Sequence, residues 1–326
     1  MFTYELFLKD ASDNAQIVLS KIGKQYLPKN VDIIYLKRTS DEINASATRT
    51  TPEGAKEVQY LIYMHDGLYK SIYEHCTQIV DNNINFFQKV GDNPEQAKRN
   101  LCSFVSEMAY WHEYAHIVRG HIEYALDNQI STTAYCDEAL HSFYDVKARF
   151  IECDADIYGA QFLYARILAC LQSKENNIPY EQWIHFYCLG IAILFNIFFS
   201  RKNFQSEFYE NTSHPHPHAR AFFAISHGIC GGKRADKNAN NDEAIETAIS
   251  IKCLNICAKF YNVDFDYPTI FNATHHELAH WQSNEKLLIN YQILNRNNKK
   301  KPLAWLYNLT QRSLKKLRFG VNTARR

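Results

Sequence analysis

Several common features are missing from this chain of 326 residues, and each absence narrows its class. The opening MFTYELFLKD has no basic n-region, no long apolar run and no small-residue cleavage site, so no signal peptide is expected. The nine cysteines form no C-x-x-C pair, which argues against a zinc ribbon. Cys102, Cys170, Cys188, Cys253 and Cys257 fall in apolar segments and read as reduced core thiols of a cytoplasmic protein. The longest apolar segment, Ile184 to Phe199, is interrupted by His185, Gly190 and Asn196. It falls short of the roughly 20 residues a span requires, so a buried core helix is expected and membrane insertion is not. No internal repeat is found. Net charge is +1, but it is unevenly spread: residues Asn295 to Arg326 hold ten Lys or Arg and no acid.

Apolar content of 46%, with 14% aromatics, is ample for a packed core. Val31–Leu36 and Val58–Tyr63 are β-branched and aromatic runs bounded by turn residues, and predict strands. Ile43 to Thr48 is a third, small-residue strand. Helical periods then dominate: Leu68–Val80, a helix after the Asn93-Pro94 break, Asp137–Leu171, Trp183–Ser200, Ala219–Ile229, Asp242–Tyr261 and His275–Asn295. Gly231 to Asn241 reads as a loop. The predicted fold is mainly α with a small N-terminal β-sheet (α+β). Residues 1–230 are expected to form the core, 231–294 C-terminal helices packed on it, and 295–326 a basic tail.

The densest chemistry lies in Leu101–His121, LCSFVSEMAYWHEYAHIVRGH. His112 and His116 are four apart on a helix, so both imidazoles can address one metal ion. They continue the apolar stripe of Leu101, Phe104, Val105 and Met108, where solvated histidines would not be expected. Glu113 lies on the adjoining edge, placed to take a proton from a metal-bound water. A hydrolytic zinc site needs a third protein ligand and one open position. His121 is half a helical turn out of phase and could contribute only if the helix ended near Gly120 and the chain turned back. Glu152 is the better candidate. It shares a helix face with Asp156, which can accept the free N–H of a ligand histidine. The plain alternative is an exposed acidic stripe with Asp145. Next comes Ser213-His214-Pro215-His216-Pro217-His218-Ala219-Arg220, whose three alternating histidines could form a second metal site, or where one His and Arg220 could hold an oxyanion. His214 and Arg220 are the first choice and His216 the second; a solvated loop is the plain alternative. A second H-E-x-x-H, His276 to His280, has no acid pair after it and reads as structural, with a second metal site as the other reading.

This order of motifs resembles the gluzincin metallopeptidases of the Ste24/HtpX-like type. That family carries a small-residue edge strand ahead of the active helix, which Asn44, Ala45, Ser46 and Ala47 match. The layout is also similar to the phage-exclusion peptidases of the Lit type. The resemblance implies a gluzincin-like fold and one zinc ion on His112, His116 and Glu152. It implies Glu113 as base and the edge strand as the site that pairs with the backbone of a protein or peptide substrate. The Lit-type likeness adds an antiviral role directed at the translation machinery. The basic tail is expected to meet nucleic acid or ribosome. From another class, the alternative is a non-catalytic, zinc-stabilised binding protein with the same tail.

Overall fold

A computed structural model describes residues 2–22, 27–130, 146–171, 179–199, 217–235, 243–263, 267–288 and 290–292. Strands β1 (Val31–Arg38), β2 (Ala45–Arg49) and β3 (Val58–His65) form one sheet in the order β1-β3-β2. β1 runs parallel to β3, with Val31 opposite Val58, and β2 runs antiparallel to it, with Ala47 opposite Ile62. Tyr60, Ile62 and Met64 alternate into the core. The bonds His65 N–H to Asn44 O and Thr50 N–H to Gln59 O fix which residues of β2 pair inward. By the alternation of an antiparallel ladder, Ala45, Ala47 and Arg49 turn their backbone groups to the open edge.

Helices enclose this sheet: α1 (Tyr4–Ile17), α2 (Asp66–Asn82) and α3 (Ile84–Lys89), then α4 (Pro94–Val118) and α5 (His121–Asp127). Then come α6 (Val146–Leu171), α7 (Tyr180–Phe199), α8 (Pro217–Ala235), α9 (Glu243–Phe260) and α10 (Tyr267–Asn284). The fold is thus mainly helical with a small N-terminal sheet, as the sequence predicts. α4 is the central element. Its first turn is set by Pro94 and by the Asn93 side chain, which accepts from Gln96 N–H at 2.9 Å. From Leu101 to Val118 it is buried on nearly every side, because α2, β2, α6 and α7 all pack on it. α8 lies on α6, α9 on α7, and one apolar core runs from Phe2 through Cys257.

Three boundaries depart from the sequence expectation. α1 was not predicted; only Phe7, Ala11 and Ala15 of it are buried, a stripe too thin to read. α8 continues through Gly231 and Gly232, where a loop was expected. α10 begins at Tyr267, eight residues before the predicted start, and ends at Asn284. Its Pro268 sits in the first turn, where proline is tolerated, so it opens the helix. The predicted segment from Asp137 to Asp145 and the basic tail lie outside the described residues. α7 is long and apolar enough to cross a membrane, but 89% of its apolar window is buried inside the protein.

Candidate metal centre

His112 and His116 project from the middle of α4, and Glu152 comes from the first half of α6, which crosses it. Gly159 permits that crossing: a Cβ there would lie 3.0 Å from the His112 nitrogen. The two His Nε2 atoms are 3.1 Å apart. Glu152 Oε2 is 3.4 Å from His112 Nε2, and Oε1 is 3.7 Å from His116 Nε2. Bonds of about 2.0–2.1 Å at tetrahedral angles would put ligand atoms about 3.3–3.4 Å apart. These three donors therefore fit one tetrahedral ion and leave a fourth position open. Among the described residues no other group of three His, Cys, Asp or Glu converges in this way.

The surroundings fix those side chains. Asp156, fully buried, lies one helical turn from Glu152 and puts Oδ1 3.0 Å from His112 Nδ1. Arg220 reaches from the first turn of α8, donating to Asp156 from Nε at 2.7 Å and Nη2 at 2.8 Å, and to Glu152 from Nη2 at 3.4 Å. Its guanidinium also stacks 4.6 Å over the Phe195 ring. Arg220 thus holds the two acids together, and it also lines the cleft beside Glu113. His214 and His216 lie outside the described residues, and His218 is fully buried in α8.

On the other side of the centre the chain does turn back after Gly120, the condition set for His121, while Asp154, Arg119 and Trp281 are residues that sequence reasoning passed over. α4 ends at Val118, and Gly120 takes φ +74° and turns the chain, so His121 starts α5 pointing back. His121 Nδ1 lies 3.0 Å from His116 Nδ1, and its Nε2 is 2.8 Å from Asp154 Oδ2. It therefore stands behind His116 and takes no place among the converging donors. Arg119 makes a fork to Asp154 at 2.7 and 3.0 Å and lies 4.0 Å over the Tyr158 ring. The available signal was the run Glu152-Cys153-Asp154-Ala155-Asp156: a third buried acid there demands cations, and Arg119 and His121 are close in sequence to the motif.

The charges follow from this packing. Burial opposes a proton on His112, but the hydrogen bonds to Asp156 and Glu152 outweigh it and push it up to about 10. Burial holds His116 well below the usual histidine range, with the charges of His112, His121 and Arg220 adding to the effect. Burial raises the Glu113 carboxyl to about 7, with Glu152 adding to the rise. His112 and a hydrogen bond from the Ala47 N–H pull it the other way. That bond ties Glu113 to the open edge of β2. A cleft opens between them, with Glu113, His112 and Arg220 at its polar floor and Ala45, Ala109, Leu194, Phe195 and Phe198 as walls. Arg49 and Tyr60 both bond Glu123 of α5, at 2.8 and 2.5 Å, which pins the strand beside the centre.

The second H-E-x-x-H lies on α10, with His276 exposed and His280 half-buried. What this helix contributes to the centre is Trp281, whose Nε1–H donates to Asp154 Oδ1 at 2.8 Å. No family model, curated protein or solved structure matches this chain.

Proposed function

We propose that the protein is a zinc-dependent endopeptidase of the gluzincin type, with the ion held by His112, His116 and Glu152. The observation that carries this reading is the convergence of two Nε2 atoms and a carboxylate at 3.1–3.7 Å, with Glu113 beside them. When bound, zinc would supply Lewis acidity and lower the pKa of a bound water. The protein's own groups do the rest. Glu113 takes the proton of the attacking water and later passes it to the leaving amine. The outward N–H and C=O groups of Ala45 and the C=O of Ala47, with Asn44 and Ser46 completing the strand, pair with an extended substrate backbone. The apolar walls of the cleft keep bulk water from the base. Asp156 and Arg220 hold the ligands in place. The donor that meets the oxyanion is His214 or Arg220, the latter lining the cleft beside Glu113.

The Lit-type likeness extends this reading to a cytoplasmic, antiviral protease acting on the translation machinery, with the basic tail guiding it to nucleic acid or ribosome. The test is Glu113→Gln. The amide keeps the shape of the carboxyl but cannot take the proton, so the variant should bind one zinc per chain and lose peptide hydrolysis by about 10²-fold or more. Proteomes of cells expressing wild type and this variant would then reveal the target. Undiminished cleavage by the variant rejects the mechanism, and wild-type protein that binds no zinc rejects the site.

A further inference from the structure

Asp154 is the most heavily engaged carboxylate in the site and has no part in the chemistry described so far. It is fully buried, 35 residues from Arg119 in sequence and 127 from Trp281, yet both donate to it. Oδ2 accepts from Arg119 Nε at 2.7 Å and faces His121 Nε2 at 2.8 Å. Oδ1 accepts from Arg119 Nη2 at 3.0 Å and from Trp281 Nε1 at 2.8 Å. Two carboxylate oxygens offer about four acceptor positions, and here each has a donor. A carboxylate forked by arginine is ionised and can only accept. His121 must therefore carry its proton on Nε2.

That choice propagates. Neutral His121 with its proton on Nε2 has a bare Nδ1, which can only accept. The atom facing it at 3.0 Å is His116 Nδ1, which must then be the donor. With its proton on Nδ1, His116 presents a bare Nε2 lone pair toward His112 and Glu152, the form a metal ligand requires. His112 reaches the same form by a shorter route, since Asp156 Oδ1 stands at its Nδ1. One ligand histidine is thus set by a carboxylate directly, the other through an intervening imidazole.

We propose that His121, locked by Asp154, is a positioning residue that fixes the tautomer of His116 and so its readiness to bind metal. The inference rests on the zinc reading above and names the residue that prepares one of its ligands. It also gives α10 a purpose: Trp281 fills the last acceptor position on Asp154, so the second H-E-x-x-H helix serves the first through one indole.

Two measurements test it. The first is the tautomer itself, read in the wild-type protein from long-range ¹H–¹⁵N spectra of ring-labelled histidine, with the His121 signals identified by their loss in His121→Gln. A proton on Nε2 and none on Nδ1 is expected; the reverse tautomer overturns the proposal. The second is zinc affinity by chelator competition, with the visible spectrum of the cobalt-substituted protein read in parallel. His121→Phe cannot accept from His116, and should bind zinc about 10–100-fold more weakly with an altered cobalt spectrum. His121→Gln keeps an acceptor oxygen and should recover most of the affinity. A purely structural role would make the two variants alike in affinity, or leave both at the wild-type value, and either result overturns the proposal. Should His121→Phe not fold, Asp154→Asn takes its place: its amide can donate to His121 and reverse the chain, with the same loss expected. Wild-type protein that binds neither zinc nor cobalt would sink the zinc reading itself; wild-type affinity retained in all folded variants would sink only this inference.

Discussion

Replacing Arg220 with methionine tests the charge balance of the centre. In the metal-free protein the buried charges that meet Arg220 or its partners directly are two carboxylates, Glu152 and Asp156, against Arg220 and a His112 whose proton is held up to about 10, while Asp154 is balanced separately by Arg119. These sum to zero. Arg220→Met leaves one net negative charge in a site where Asp156 is 0% and Arg220 2% exposed. Removing one partner of a buried, hydrogen-bonded pair typically costs about 3–5 kcal/mol, a large part of a typical stability of about 5–15 kcal/mol. On the zinc reading the penalty should shrink when metal is supplied. Zinc adds two positive charges and displaces one proton, a net gain of one beside the same acids. One unit charge about 6 Å from Asp156, at an effective dielectric of about 20, is worth about 2–3 kcal/mol. The loss should therefore fall to about 0–3 kcal/mol in saturating zinc. By linkage the folded variant should bind zinc about 30–150-fold more tightly than the wild type. Urea unfolding in chelator and in zinc gives both numbers. A loss below about 1 kcal/mol in chelator, or the same loss in both buffers, would refute the reasoning.

Zinc content should fall from one per chain to none in a His112→Ala, His116→Ala double variant, and drop sharply in Glu152→Ala. Metal kept by the double variant would move the site to His276 and His280. Gly120→Ala puts a Cβ 2.0 Å from the Tyr291 carbonyl oxygen at φ +74°. The backbone term alone costs about 1–2 kcal/mol, so chemical denaturation should show a loss of at least that size; unchanged stability would mean the turn is not strained. Removing residues 295–326 should abolish salt-sensitive binding to polyanions and lower cleavage of the native target while sparing a short peptide. Equal loss on both substrates would make the tail part of the fold.

The strands and the helix that carries His112 and His116 were legible because their signals are local. Val31–Leu36 and Val58–Tyr63 are β-rich runs between turn residues, and Asn93-Pro94 is a helix start in two letters. α1 was hidden because its neighbours, not its own composition, decide it: Phe7 packs on Tyr69 and Tyr73, which arrive some sixty residues later. Gly231 and Gly232 of α8 read as a loop because each costs a helix about 1 kcal/mol. Packing of Ile225 and Ile229 into the core offsets that cost, and the sequence alone does not show it. Within the site, spacing brought His112, His116, Glu152 and Asp156 into view, since i,i+4 pairs share a face. Asp154 was missed for the same reason: it points to another face of α6, where its partners come from the turn after α4 and from α10.

The two H-E-x-x-H motifs separate what spacing supplies from what the fold must add. Both place two imidazoles one above the other. At His112 and His116 the helix is buried on both flanks, so polar side chains there must be satisfied by carboxylates or by an ion. α6 delivers Glu152, Asp156 and Asp154 to meet that demand, and Arg119 and Arg220 neutralise the excess. At His276 and His280 the helix keeps an exposed side, and among the described residues no acid completes a set of three. His276, exposed, is satisfied by water and exerts no such demand, although the ring nitrogens of His280 are buried. The difference is therefore burial of both imidazoles together with a second helix carrying acids at i and i+4. A sequence test for a centre of this kind should score the acidic pair as heavily as the histidine pair.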